Sequence, residues 1–271
     1  MLSESTFGRT PVYDWRMNMF PEPVTSFQRY WLIGLLILWA AFLFGGFIFG
    51  APAEAVRRMP AWARMASSAT LVVAGFSWYL FVRSTPAGGY ALLIAIGMTF
   101  GFMGDLLLSG MLPSGSNFIG GLVSFAIGHI FYITALLRFA AAAGLTSPAP
   151  RWGALVVWLL IGVIAWYLVV WRGAIAAGVT PEITHWLALP YAILLASTTA
   201  LATGLALQDS RFVLLAIGAA LFLFSDLILA GEKFGGLDFR LIGDVIWLTY
   251  GPGQMLIVYS IGAALSRLTN S

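Results

Sequence analysis

The chain has 271 residues, 60% of them hydrophobic and 9% charged, with a formal net charge of +3 and a mean hydropathy of +0.91. So few polar residues cannot coat a water-soluble globule of this size, and the basic residues are scattered at the ends of apolar runs, as in membrane flanks, which argues against nucleic-acid binding. With no cysteine, disulfides, thiolate nucleophiles and cysteine metal sites are excluded.

A bilayer-spanning helix takes about 20 apolar residues. Eight such runs, at 31–50, 65–83, 90–108, 117–138, 153–171, 184–207, 212–230 and 244–265, predict an all-α polytopic membrane protein with about eight transmembrane helices. Residues 1–30 are polar and dotted with proline. They form an N-terminal segment set apart from a single transmembrane domain, 31–267. The small-residue triplet Ala51-Pro52-Ala53 follows the first run. That run exceeds the roughly 7 to 15 residues of a signal-peptide core, so it is expected to be a retained helix.

Arg57, Arg58 and Arg64 lie in the first loop and oppose a cytoplasmic N-terminus, which Arg9, Arg16, Arg29 and Arg83 favour. On the third run, Gly97, Gly101, Asp105 and Ser109 recur every four residues and share one helix face. The fourth run carries a second such stripe, Gly120, Ser124, Gly128 and Tyr132, together with His129. These two helices are expected to pair and enclose Asp105. The sixth run opens beside Glu182 and His185, read as interfacial, and contains Pro190, Ser197 and Thr203. The seventh ends in SDLILAG with Asp226; Glu232, Asp238, Arg240 and Asp244 then read as solvated loop charge. The eighth carries Tyr250, Gln254 and the run Gly251-Pro252-Gly253, a candidate break. Trp31, Trp62, Trp152, Trp171, Trp186 and Trp247 fall near span ends, where interfacial aromatics belong.

Sliding the chain by 121 residues brings GDLLLSG, Gly104 to Gly110, onto SDLILAG, Ser225 to Gly231. With two further residues, Gly128 meets Gly251. Four spans separate the copies, so the halves would share one orientation, a parallel 4+4 repeat.

A carboxylate within hydrocarbon costs about 3 kcal/mol or more and usually marks a functional site. Asp105 and Asp226 each stand about five residues before a loop, on the same side, and no Lys or Arg sits mid-span. A carboxyl kept from water and cations is held most cheaply as the neutral acid, which can give up a proton. The bland alternative is a carboxyl bonded to loop backbone or snorkelling to the interface. His129, about 12 residues into its span and so roughly 18 Å along it, either orients a substrate or makes a structural interhelical bond. Tyr132, Tyr250 and Gln254 either orient water or substrate, or pack. With two histidines on separate spans, a metal site is not expected, nor is a cofactor.

GDLLL at Gly104 to Leu108, GHIFY at Gly128 to Tyr132, SDLILA with Lys233 and Phe234, and LTY followed by Gln254 resemble, in order and spacing, the YhhN-like lysoplasmalogenase family of multi-span membrane proteins. The resemblance covers about residues 55–265. It implies hydrolysis of the vinyl ether bond of a lysophospholipid-like substrate drawn from the bilayer, with Asp105 and Asp226 as acid and base. His129, Tyr132, Tyr250 and Gln254 would orient water or substrate. A proton-coupled transporter, with helices broken at Pro190 and Pro252, and a non-catalytic lipid-binding protein are the rival readings. Thirteen of the fourteen basic residues are arginine, a bias that points to a GC-rich genome and a bacterial cytoplasmic membrane.

Overall fold

The computed structural model describes residues 20–51 and 57–269; Arg9, Arg16, Pro52 and Ala53 lie outside the described residues. Eight helices follow in chain order: α1 Ser26–Phe49, α2 Ala61–Val82, α3 Gly88–Ser109, α4 Phe118–Ala142, α5 Pro148–Ala176, α6 Ile183–Ala206, α7 Ser210–Phe234 and α8 Ile242–Thr269. No strand occurs among the described residues. The protein is an all-α polytopic membrane protein. Helices α1 to α7 are each long and apolar enough to cross a bilayer by length and composition. Helix α8, of 28 residues, carries more polar side chains and is mostly buried by its neighbours.

Local chemistry sets the helix ends. Helix α1 starts five residues before the apolar run because Thr25 caps it: its hydroxyl accepts from the Gln28 N–H at 3.3 Å, and the Gln28 side chain accepts from the Thr25 N–H at 2.9 Å. Asn117 caps α4 by accepting from the Gly120 N–H at 2.8 Å. That contact uses Gly120 for the cap, so the α4 stripe meeting α3 contains Gly121 instead, whose Cβ would strike Leu108. Helices α1 and α5 pass through π-helical stretches, Ala41–Gly45 and Trp166–Trp171. Both present large exposed apolar side chains such as Ile37, Phe49, Leu160 and Leu168. In water such faces would aggregate; in hydrocarbon they are the solvated surface.

The expected break at Gly251-Pro252-Gly253 does not occur, and α6 likewise runs on through Pro190. Close neighbours enclose α8 here: a Cβ on Gly251 would lie 2.8 Å from Leu43 of α1, and one on Gly253 would lie 3.0 Å from the Phe222 nitrogen of α7. Packed helices tolerate a missing proline N–H bond in this way. Trp31, Trp62, Trp152 and Trp186 are exposed as interfacial residues should be, but Trp247 is buried.

Helix α1 packs on α2, α2 on α3 and α3 on α4; α5 packs on α6, α6 on α7 and α7 on α8. The halves join through α4 against α6 and α8 against α2. Exchanging the halves maps each of these contacts onto another, as a parallel repeat requires. Glycine crossings match as well. A Cβ on Gly128 would come within 2.9 Å of the Gly97 oxygen, and one on Gly218 within 2.9 Å of the Gly253 oxygen. The α8 counterpart of Gly128 is thus Gly253, two residues beyond the Gly251 of the sequence alignment. The match is imperfect elsewhere: α3 packs on α8 more than α7 does on α4.

Candidate active site

Because the connections are short and successive helices alternate in direction, the ends of α1, α3, α5 and α7 meet the starts of α2, α4, α6 and α8 at one end of the bundle. Asp105 is four residues from the end of α3 and Asp226 eight from the end of α7. Asp226 is thus a further turn from its helix end than expected, about 6 Å at 1.5 Å per residue. Both carboxyls line one cavity of about 290 Å³, room enough for several waters.

Asp105 is buried and accepts two hydroxyl hydrogen bonds at one oxygen, from Ser68 of α2 at 2.5 Å and from Tyr250 of α8 at 3.1 Å. The Tyr250 hydroxyl accepts from Gln254 Nε2 at 3.0 Å, and Gln254 Oε1 accepts from the Tyr132 hydroxyl at 2.9 Å. Four side chains from three helices therefore form one chain in which every donor points toward Asp105. Tyr250 and Gln254 share a face because four residues make about one helical turn. The glycine stripe of α3 makes the space: a Cβ on Gly101 would lie 2.8 Å from Gln254 Nε2. Asp226 accepts from the Tyr191 hydroxyl of α6 and, at 3.3 Å, from the Ser225 hydroxyl.

Asp226 also lines a second, narrow and largely apolar space of about 50 Å³ between α4, α5, α6 and α7, bordered by Trp166, Val170, Leu195 and Leu223. Leu108, Phe118, Phe125 and Leu229 border both spaces. The polar cavity and the apolar slot therefore meet at Asp226, whereas Asp105 faces the cavity alone.

His129 is buried but is not hydrogen-bonded to either aspartate. Its Nδ1 pairs with the Thr198 hydroxyl of α6 at 2.9 Å, and its ring lies 4.6 Å from that of Phe222. The hydrogen bond is an interhelical contact between α4 and α6, while the ring edges of Tyr132 and Tyr191 lie against the imidazole at centroid distances of 5.7 and 6.4 Å, so His129 touches the site without joining its hydrogen-bonded chain.

Neither aspartate forms an ion pair among the described residues, but cations stand nearer than the sequence suggests. Arg57 and Arg64 line the same cavity. Arg64 stands in the first turn of α2, is 6% exposed and lies over the Trp247 ring at 5.4 Å. Of the loop charges, Asp238 and Arg240 are exposed as expected, but Asp244 and Glu232 are not. Asp244 is fully buried and accepts from the backbone N–H groups of Arg58 at 2.6 Å and Met59 at 2.9 Å. It fixes the strand of chain that delivers Arg57 to the cavity. Glu232 and Lys233 line the cavity and pair with each other at 3.5 Å. His185 is buried as well: its Nδ1 accepts from the Glu182 N–H at 3.0 Å, which closes the start of α6.

Sequence reading missed Ser68, Tyr191, Arg57, Arg64, Asp244 and Trp247. Arg64 stands immediately before the apolar run that begins at residue 65 and so reads as loop charge, although the structure starts the helix at Ala61. Among the described residues no three His, Cys, Asp or Glu side chains gather into a group that could hold a metal.

The model of the YhhN family matches residues 62–261. That span takes in both aspartates, the Tyr132–Gln254–Tyr250 chain and Arg64. No curated protein and no solved structure matches the chain.

Proposed function

The chain belongs to the YhhN family, and on that premise we propose that it hydrolyses the vinyl ether bond of a lysoplasmalogen, releasing a fatty aldehyde and a glycerophospho-headgroup. The observation that carries the reading is the meeting of a two-carboxyl polar cavity with an apolar slot at Asp226. A lysoplasmalogen has the same division: one apolar chain, one reactive enol ether and one polar head.

With the chain in the slot, Asp226 is the group nearest the alkene and serves as the acid. Its proton forms a bond to the alkene carbon next to the ether-bearing carbon, using the electron pair of the double bond. The ether oxygen shares the resulting positive charge as an oxocarbenium ion. Asp105 serves as the base. It takes a proton from a cavity water as that water adds to the cationic carbon, giving a hemiacetal. In the collapse of the hemiacetal its hydroxyl gives its proton to Asp226 while Asp105 passes its proton to the departing glyceryl oxygen, which breaks the carbon–oxygen bond and leaves the aldehyde. One water is consumed and both carboxyls return to their starting states. The division of labour parallels the acid and base carboxyls of glycosidases, which also work through an oxocarbenium-like transition state. Hydroxyl donors from Ser68 and Tyr250 would orient the Asp105 carboxyl toward the cavity water.

A one-ended polar chain supports an enzyme over a transporter. The hydrogen-bonded run from Asp105 ends at Tyr132, whose hydroxyl otherwise meets only the Met98 sulfur, at 3.9 Å, among the described residues. The arginine bias supports a bacterial cytoplasmic membrane as its location. The test is aldehyde release from an alkenyl lysophosphatidylethanolamine by purified protein. Asp226→Asn and Asp105→Asn are each expected to lose about 100-fold or more, the range of a general acid or base. Absence of aldehyde release by the wild type on any vinyl ether lipid would favour transport or lipid binding. Full activity in either variant would remove that aspartate from the mechanism.

A further inference from the structure

The cavity holds two guanidinium groups that the carboxyl chemistry does not use. Arg64 is 6% exposed, and the Nε atoms of Arg57 and Arg64 are both buried without a hydrogen-bond partner. Neither side chain takes part in an ion pair or a side-chain hydrogen bond among the described residues, although Asp105 and Asp226 line the same cavity. Unpaired buried donors of this kind are costly, because each N–H has given up water for nothing. Both side chains also line the polar cavity, which makes the pair a built site for an acceptor that arrives from outside.

The surroundings define that acceptor. Each guanidinium presents a planar fork of donors suited to two oxygens of one anion. Lys233 and Glu232 neutralise each other, so the two arginines carry the cavity's uncommitted positive charge. Arg64 is steadied from below by the Trp247 ring, and Arg57 by the backbone that Asp244 holds one and two residues further on. Both are thus fixed before a ligand arrives, which lowers the ordering cost of binding.

We infer that Arg57 and Arg64 form a phosphate clamp that takes the phosphodiester of a lysophospholipid headgroup. The inference rests on the proposed function for its choice of a lipid over a free phosphate. Phosphate on the clamp places the polar head in the cavity and leaves the slot beyond Asp226 for the chain. The clamp therefore selects phospholipids over neutral glyceryl ethers, and it does so by binding rather than by chemistry.

The experiment measures binding, not turnover. The probe is a saturated alkyl-ether lysophosphatidylethanolamine, which has no alkene to protonate; the comparison ligands are the monoalkylglycerol of the same chain length, glycerol 3-phosphate and inorganic phosphate. The wild type is expected to prefer the phospholipid to the monoalkylglycerol by about 10- to 100-fold, the worth of one or two charge-assisted hydrogen bonds. Arg57→Gln and Arg64→Gln are expected to erase most of that preference while leaving monoalkylglycerol affinity unchanged, and Arg57→Lys to restore it in part. Arg57, nearer the surface, keeps the test available if an Arg64 variant does not fold.

Equal affinity of the wild type for the two lipids, or an undiminished preference in a folded Arg57→Gln protein, would overturn the clamp. Displacement of the lipid by inorganic phosphate or glycerol 3-phosphate at equal concentration would overturn its assignment to a lipid headgroup. Phosphate preference without aldehyde release would sink the hydrolase reading and leave the clamp standing. Aldehyde release without phosphate preference would do the reverse.

Discussion

Replacing Tyr250 by phenylalanine removes one hydroxyl from the middle of the Tyr132–Gln254–Tyr250–Asp105 chain and little else. The ring is enclosed by Phe222, Trp247 and Phe125 at centroid distances of 5.1, 5.3 and 6.0 Å, so it has no reason to move. Two hydrogen bonds disappear: the 3.1 Å bond given to Asp105 and the 3.0 Å bond taken from Gln254. A hydrogen bond to a charged group contributes about 1.5 to 3 kcal/mol. If Asp105 must be an oriented carboxylate at the moment water is activated, losing about 2 kcal/mol there slows turnover about 30-fold. The loss is not total, because Ser68 still donates to the same oxygen at 2.5 Å. Tyr132→Phe removes the far end of the chain and touches Asp105 only through two intermediaries, so its cost is expected to be about 3-fold or less. In an Asp105→Asn background, Tyr250→Phe should cost nothing further, since it acts through a carboxylate no longer there. The assay is the initial rate of aldehyde release per folded molecule for the two single variants and the double variant. A Tyr132→Phe loss as large as that of Tyr250→Phe, or additive losses in the double variant, would refute a chain directed at Asp105.

Asp244→Ala leaves the buried N–H groups of Arg58 and Met59 without their acceptor; destabilisation of about 3 kcal/mol is expected. It should appear as a melting temperature lowered by several degrees, and no change in a thermal scan would show that the contact does not hold the segment. Gly218→Ala drives a methyl to 2.7 Å from the Leu256 Cβ and 2.9 Å from the Gly253 oxygen, so it should separate α7 from α8 and lower stability, whereas Gly34→Ala, with nothing within 4 Å, is the neutral control. Equal melting temperatures for the two variants would argue against the tight crossing. Thr198→Val strands His129 Nδ1 and should cost about 1 to 2 kcal/mol of stability with aldehyde release per folded molecule unchanged. A selective loss of turnover there would return His129 to the catalytic set.

The spans and the two aspartates were legible because each is a local signal: a run of apolar residues has to be about one bilayer long, and a charge inside it has to be accounted for. Tyr132, Tyr250 and Gln254 were legible for a related reason, as polar side chains on apolar helices, though only packing reveals that they form one chain. His129 gives the same signal, and its hydrogen bond goes to Thr198 of α6 rather than to an aspartate, because spacing along α4 does not say which neighbouring helix faces it. Arg64 reads as a loop charge because it precedes the apolar run, yet it lies in the first turn of α2, and helix starts at this end of the bundle surround the cavity. Asp244 reads as a loop charge because the N–H groups that donate to it, those of Arg58 and Met59, lie more than 180 residues away in the chain. Ser68 and Tyr191 carry no spacing or motif that distinguishes them from other hydroxyls in spans. Gly251-Pro252-Gly253 misled in the opposite sense, since the local sequence does not show that Leu43 and Phe222 enclose the helix there.

The approximate two-fold packing has a consequence for the carboxyls themselves. A symmetric homodimer with one aspartate from each subunit would force identical surroundings on both, and they would have to share every proton evenly. Joining the two halves in one chain lifts that constraint. Ser68 and Tyr250 can then attend Asp105 while Tyr191, Ser225 and the apolar slot attend Asp226. One backbone plan thus presents two chemically unlike acids to a single small volume, which no pair of identical subunits could do.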